Sequence, residues 1–211
     1  EVLRSHSRVP PPYVISTDDD SDTVWKKGAV VAFDVVLAGR AASYLPHMIL
    51  AAQRLAQEGL GRARVRAELQ RVDSHPVAGQ EPAIQLWMDD HLRPDWARFG
   101  QVSNADLYAG EKVDSITLRF QTATRLKYQD RFIKETPAFH ILVRTLLRRL
   151  SSLSYFFGSN RWDIDYAGWI ERAKAVEIAE ADVRWQEWGR YSTRQKRHMN
   201  LGGLRGVVAY Q

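Results

Sequence analysis

Residues 29–72 read AVVAFDVVLAGRAASYLPHMILAAQRLAQEGLGRARVRAELQRV. Residues 29–38 are a near-continuous apolar run, the pattern of a strand in the middle of a sheet. Gly39-Arg40 turns the chain. Ser43 can cap a helix, and Pro46 is tolerated in its first turn. Leu45, Met48, Ile49, Ala52, Leu55 and Ala56 then recur at helical spacing, which predicts a helix over 43–58. Gly59 and Gly61 stand where a helix stops. From Arg62 to Val72 the residues alternate, with Val65, Ala67 and Leu69 on one face and Arg64, Arg66, Glu68 and Gln70 on the other. The stretch therefore predicts one strand–helix–strand unit, with strands near 29–38 and 63–72.

The same order returns further along. Ile116, Leu118 and Phe120 alternate with Thr117, Arg119 and Gln121, which predicts a strand over 115–121. Thr136-Pro137 opens a helix over 137–157, with Phe139, Leu142, Leu146, Leu150 and Leu153 as its apolar stripe and Arg144 and Arg148 outside. A short helix around Trp169 and Ile170 precedes strands near 175–188 and 204–210. Residues 73–112 are rich in turn formers and read as linker and loops around Trp87 and Trp96, with one short strand at most. The two-fold echo predicts an α+β protein of two ferredoxin-like (RRM-like) folds in tandem. The expected core includes Val31, Phe33, Val35, Leu45, Ile49, Leu55, Val65, Leu69, Phe120, Leu142, Leu146 and Leu150. Leu146→Ala is expected to cost about 2–5 kcal/mol as a core truncation.

Composition narrows the chemistry. The chain has 211 residues, no cysteine, a net charge of +5 and a pI near 9.6. Without cysteine there is no disulfide, thiolate nucleophile or thiolate zinc site, in keeping with a reducing cytoplasm. No apolar run reaches the ~18 residues of a membrane span, and the first residues lack the apolar core of a signal peptide. No HExxH, HxH, DxD, GxSxG, Walker A or GxGxxG pattern occurs. Asp89-Asp90-His91 is the nearest approach to a metal site and reads as an exposed loop. These absences predict neither cofactor nor metal.

The charge is concentrated at the C-terminal end. Between Arg184 and Arg205 stand Arg184, Arg190, Arg194, Lys196, Arg197 and Arg205 against the single acid Glu187, a local charge equal to the whole chain's +5. Trp185, Trp188 and Tyr191 lie among them. Cations interleaved with rings suit a flexible polyanion whose bases can stack, and so single-stranded RNA more than duplex DNA. The run reads as a polar loop in which Gly202-Gly203 would let the backbone approach phosphate. A solvated charged loop would look the same on charge alone.

Two smaller basic groups join it. Arg62, Arg64 and Arg66 share a face of the predicted strand, as a phosphate track or as a salt-bridged surface. Arg125, Lys127 and Arg131 follow a strand end. His47 and His140 read as structural. His198 lies among cations that favour its neutral form, suited to hydrogen bonding or to a general base. The candidate RNA-binding residues are thus Arg190, Tyr191, Arg194, Gln195, Lys196, Arg197, His198, Arg205, Arg125, Lys127, Arg62 and Arg64.

Beyond this, PPPYVI, GRAASYLPHM, GLG, TATRLK, LLRRLSSL and RYSTRQ…GGLRG occur in an order that resembles the CRISPR repeat-processing endoribonucleases of the RAMP superfamily. The resemblance runs from about residue 9 to 211. It implies tandem ferredoxin-like folds and metal-independent cleavage of precursor CRISPR RNA through the neighbouring 2′-hydroxyl. The expected products are a 5′-hydroxyl and a 2′,3′-cyclic phosphate. The expected partners are CRISPR repeat RNA and other CRISPR-associated proteins. It also implies that both folds are incomplete here. Residues 1–73 would be the second half of the first fold, 74–112 linker and loops, and 113–211 the second fold without its last elements. In many relatives a general-base histidine lies on a helix that would precede Glu1, so no catalytic residue is assigned. A non-catalytic RAMP-type RNA-binding subunit is the alternative. An α/β module for small molecules or proteins, with an incidental basic loop, is a third.

Overall fold

The computed structural model describes residues 9–17, 25–61, 63–75, 83–99, 112–159, 163–192 and 197–211. The chain forms two compact units, one of Glu1–Val36 with Lys112–Gln211 and one of Leu37–Glu111. Their strands are β1 (Tyr13–Ser16), β2 (Asp34–Leu37), β3 (Arg71–Ser74), β4 (Ile84–Met88), β5 (His91–Leu92), β6 (Ile116–Thr124), β7 (Lys127–Tyr128), β8 (Arg131–Phe132), β9 (Ile178–Ser192) and β10 (Arg197–Tyr210). The helices are α1 (Leu45–Glu58), α2 (Phe139–Phe157) and α3 (Tyr166–Lys174). Among the described residues no helix is long and apolar enough to cross a membrane.

The first unit is built on the sheet β6-β10-β9. The last strand in sequence lies in the middle, antiparallel to both neighbours, with Val208 opposite Leu118 on one side and Ala181 on the other. Helices α2 and α3 connect the two outer strands. That is the split β-α-β arrangement of a ferredoxin-like fold. Alternation along β6 and β10 sends Phe120, Leu204, Val208 and Tyr210 into a core shared with Leu126 and Leu142. Tyr210 is fully buried; its hydroxyl donates to the Pro137 carbonyl at 2.7 Å, and its ring lies 5.0 Å from that of Phe139. Burial pushes this phenol up to about 12. Asp165 caps α3 by accepting from the Gly168 amide at 2.9 Å.

Helix α2 packs only the first members of the leucine stripe, Phe139 and Leu142, against the core, and the inward face then departs from the stripe. Ile141, Leu142 and Ser152 are buried, whereas Leu146 and Leu150 are exposed by 57% and 43%. The inward line descends through Leu142, Thr145, Arg149 and Ser152. Its polar members are satisfied: Thr145 and Ser152 donate to the carbonyls of Ile141 and Arg148, and Arg149 reaches the Pro11 carbonyl at 2.9 Å. The expected cost for Leu146→Ala falls with that register.

In the second unit a 3-10 turn, Gly39–Tyr44, leads into α1. Ser43 does not cap the helix; its hydroxyl bonds back to the Arg40 carbonyl at 2.8 Å. Gly59 ends α1 at φ +100°, where a Cβ would collide with the Arg64 backbone. The expected strand over 63–72 does not form. Leu60 bridges Val65 around a tight turn in which Arg64 has φ +51°, and only Arg71–Ser74 becomes a strand. Val65 is 63% exposed. The stretch read as linker instead carries β4 and β5, which join β3 in a three-stranded antiparallel sheet with Leu86 and Trp87 buried.

Residues 29–38 yield only the four-residue β2, paired with β1, and leave Val31 and Phe33 exposed. Of the other expected core residues, Ile49, Phe120 and Leu142 are buried, Val35, Leu45 and Leu69 are half-buried, and Leu55 is exposed.

Candidate nucleic-acid interface

Strand β6 stops at Thr124, opposite Leu204, but β9 and β10 continue together. From Gly203↔Gln186 to Arg197↔Ser192 they form a two-stranded ribbon, on the order of 20 Å long at the usual rise per residue. Among the described residues the basic run is therefore strand, not loop. Arg190 and Tyr191 lie in β9, Arg197 and His198 in β10, and Tyr191 stands opposite His198 in the register. Arg194, Gln195 and Lys196 lie outside the described residues.

The glycine pair roots this ribbon. A Cβ on Gly202 would overlap the Trp185 indole, and one on Gly203 would come within 2.6 Å of the Ala123 backbone. Both glycines are buried. The space they leave is filled by β6 and by a ring, so the expected phosphate approach at these two positions gives way to sheet packing.

Around the root the cations are held in place. Arg125 Nε donates to the Gly202 carbonyl at 2.7 Å, and its guanidinium lies 4.9 Å from the Phe132 ring centroid. Phe132 in turn leans on Trp185 at 6.4 Å, and Lys134 Nζ lies 5.6 Å from the Trp185 ring. These are cation–π distances. Lys127 pairs with Asp130 at 2.8 Å across the β7–β8 turn. Its hydrogen bond and its charge hold the Asp130 carboxyl below the usual range. Arg125 and Lys127 thus stand beside the foot of the ribbon, Arg125 as a pin and Lys127 with a local counter-charge.

Arg205 points to a feature that linear reading missed. It stands opposite Arg184, while Val207, two residues on, stands opposite both Arg119 and Asp182. Arg119, Gln121, Asp182, Arg184 and Arg205 line one open groove of about 410 Å³ on the sheet face away from the core. Arg119 lies about 65 positions before Arg184, and the sheet register joins it to Arg184 and Arg205.

The remaining candidates fall elsewhere. Arg62 lies outside the described residues, and Arg64 sits in the turn after α1, in the second unit, so no three-arginine strand face exists. His47 and His140 make edge contacts with Tyr44 at 5.9 Å and Tyr128 at 5.8 Å. Asp89-Asp90 is a turn with φ +50° and +62°, and Asp90 accepts from Gln53 at 2.6 Å. No group of three or more metal-ligating side chains occurs among the described residues.

Residues 118–211 match the family model of the CRISPR-associated endoribonuclease Cas6, and residues 1–96 match the model of an N-terminal domain, AF_1859_N. No curated protein matches the chain. Among solved structures it is similar to a Cas6 (TTHA0078) product complex, at 18% identity and a TM-score of 0.52, over 100% of this chain and 72% of that one. A substrate mimic complex of the same Cas6 aligns at 19% identity and a TM-score of 0.47, over 100% of this chain and 71% of the other. At such identities the likeness is one of fold, here the tandem ferredoxin-like architecture. The sheet, the ribbon and the arginine groove all lie in the part of the chain that matches the model of the Cas6 family of CRISPR-associated endoribonucleases.

Proposed function

We propose that this protein processes CRISPR precursor RNA by cutting within the repeat, without metal, to a 5′-hydroxyl and a 2′,3′-cyclic phosphate. The observation that carries the reading is the match of residues 118–211 to an endoribonuclease family. The basic β9–β10 ribbon supports it, as a platform for a polyanion. The similar Cas6 has been solved as a product complex, in keeping with an RNA substrate.

The chemistry is an in-line transesterification. The 2′-oxygen of one nucleotide attacks its own 3′-phosphorus, and the P–O5′ bond breaks. A general base takes the 2′-hydroxyl proton, and a general acid delivers one to the leaving O5′. Lysine or arginine side chains stabilise the charge that builds on the phosphorane oxygens.

The test uses end-labelled repeat RNA in EDTA. The expected result is one cut whose downstream fragment accepts phosphate directly from polynucleotide kinase, and whose upstream fragment resists periodate until its cyclic phosphate is opened and removed. A 2′-deoxy nucleotide at the cut should abolish the reaction. Tight binding of the repeat with no cleavage would replace this reading with that of a non-catalytic RNA-binding subunit.

A further inference from the structure

Helix α2 packs on the core side of the sheet through Leu142, and α3 packs beside it. Their solvent faces carry an ordered set of side chains. Arg144, Arg148, Ser151 and Tyr155 fall at i, i+4, i+7 and i+11, so they line one stripe of α2. Tyr166, Trp169 and Arg172 follow at intervals of three along α3. The two stripes meet where the Ser151 and Tyr166 hydroxyls share a hydrogen bond. All three arginines are exposed, and so are both tyrosines and Trp169, the last by 51%.

The residue types are those of a protein interface. Beside Ser151 the stripes hold only arginine, tyrosine and tryptophan. These three types dominate the energy of protein–protein contacts, where lysine and glutamate are depleted. Single exposed rings on a surface are ordinary, but here they stand together on two locked helices.

The charge of this face is uncompensated. Helix α2 contains no acid. Asp165 caps α3 through the Gly168 amide, and Glu171 pairs with Lys174 at 2.7 Å. Arg144 lies 5.7 Å from the Tyr128 ring and Arg172 5.2 Å from that of Trp169, contacts that orient a guanidinium without neutralising it. Among the described residues none of the three arginines forms an ion pair. A second copy of the same face would set arginine against arginine. The arginine groove of the sheet opens on the opposite side, so these helices do not extend it.

We infer that the outer face of α2 and α3 is a docking surface for an acidic segment of a partner protein. Carboxylates of that segment pair with Arg148 and Arg172, whose forked donors fit them, and an apolar side chain packs on Trp169. The inference is independent of the RNA-processing reading above.

The experiment measures fluorescence polarisation of a labelled peptide of glutamates and leucines, with the full chain, across a salt series. The same peptide with glutamine for glutamate is the control. The variants are R148Q/R172Q and W169A. Each replaces exposed side chains, and a circular-dichroism melt checks that both fold. The acidic peptide should bind wild type, more weakly as salt rises, and the glutamine peptide should not. R148Q/R172Q should lose both affinity and salt dependence. W169A should weaken binding by about tenfold or more with the salt dependence kept, as truncation of an apolar anchor does. Repeat-RNA binding should be the same in all three proteins.

No binding of the acidic peptide by wild type overturns the proposal, as does wild-type affinity in both variants. Equal binding of the glutamine peptide overturns the acidic partner. Loss of repeat-RNA binding in R148Q/R172Q overturns the protein partner and makes this face part of the RNA interface.

Discussion

Tyr210→Phe separates a buried hydrogen bond from the ring that makes it. The phenol is fully buried and donates to the Pro137 carbonyl at 2.7 Å, while its ring packs on Phe139. Phenylalanine keeps the ring and leaves the carbonyl of buried Pro137 without this donor, at a cost of about 1–3 kcal/mol near neutral pH. The ionisation adds a second, signed effect. Burial raises the folded pKa from 10.0 to about 12, so between those values the folded state holds a proton that the unfolded chain has lost. Stability from this group is complete below pH 10, decreases as pH rises, and is gone above about 12. Linkage then predicts a loss of about 1.4 kcal/mol by roughly pH 11, and of about 2.7 kcal/mol beyond the folded pKa. Tyr210→Phe has no such group. Urea melts of both proteins near pH 8 and near pH 11 should therefore show the deficit of the variant shrinking by about 1.4 kcal/mol at the higher pH. A deficit independent of pH would show that the hydroxyl titrates as a solvated phenol, and would place Tyr210 outside the core.

Other consequences can be checked alongside. Leu142→Ala should cost about 2–5 kcal/mol in denaturant melts, and Leu146→Ala no more than about 0.5, the reverse of what the leucine stripe suggests. Gly203→Ala pushes a methyl against the β6 backbone and should destabilise by about 1–3 kcal/mol while loosening the ribbon root, visible as faster amide exchange across β6 and β10. Replacing Arg194, Lys196 and Arg197 together with alanine should lower the salt slope of repeat-RNA binding by about 2, and an unchanged slope would remove these three cations from the interface.

The parts of the fold legible in the sequence were those where local pattern and tertiary packing agree. β6 alternates cleanly, and its inward residues are the ones that meet the core. Pro137 marks the start of α2, and Gly59 its counterpart at the end of α1. The failures share a cause as well. Residues 62–72 alternate like a strand, but a turn pinned by the Leu60–Val65 bridge consumes the first half before any partner is met. Alternation gives a possible face and says nothing about whether an edge is available to pair with it. Residues 29–38 are apolar enough for a central strand, yet pairing reaches only four of them.

The site shows the opposite error. In the sequence the basic run reads as a polar loop, and Gly202 and Gly203 as a place where the backbone could approach phosphate. In the folded chain they are the residues that let the ribbon begin, since β6 and the Trp185 indole occupy the space where side chains would stand. A glycine in a strand signals either a break or a close approach, and only the neighbour decides which. The same dependence hides the arginine groove. Arg205 belongs to the basic run and Arg119 to a strand that looked unremarkable, and no linear window holds both. What joins them is a register in which Val207 of the middle strand faces Arg119 on one side and Asp182 on the other. Charge density along a chain therefore finds cations that are neighbours in sequence. A cluster drawn from several strands is set by the order of strands in the sheet, and this sheet puts its last strand in the middle.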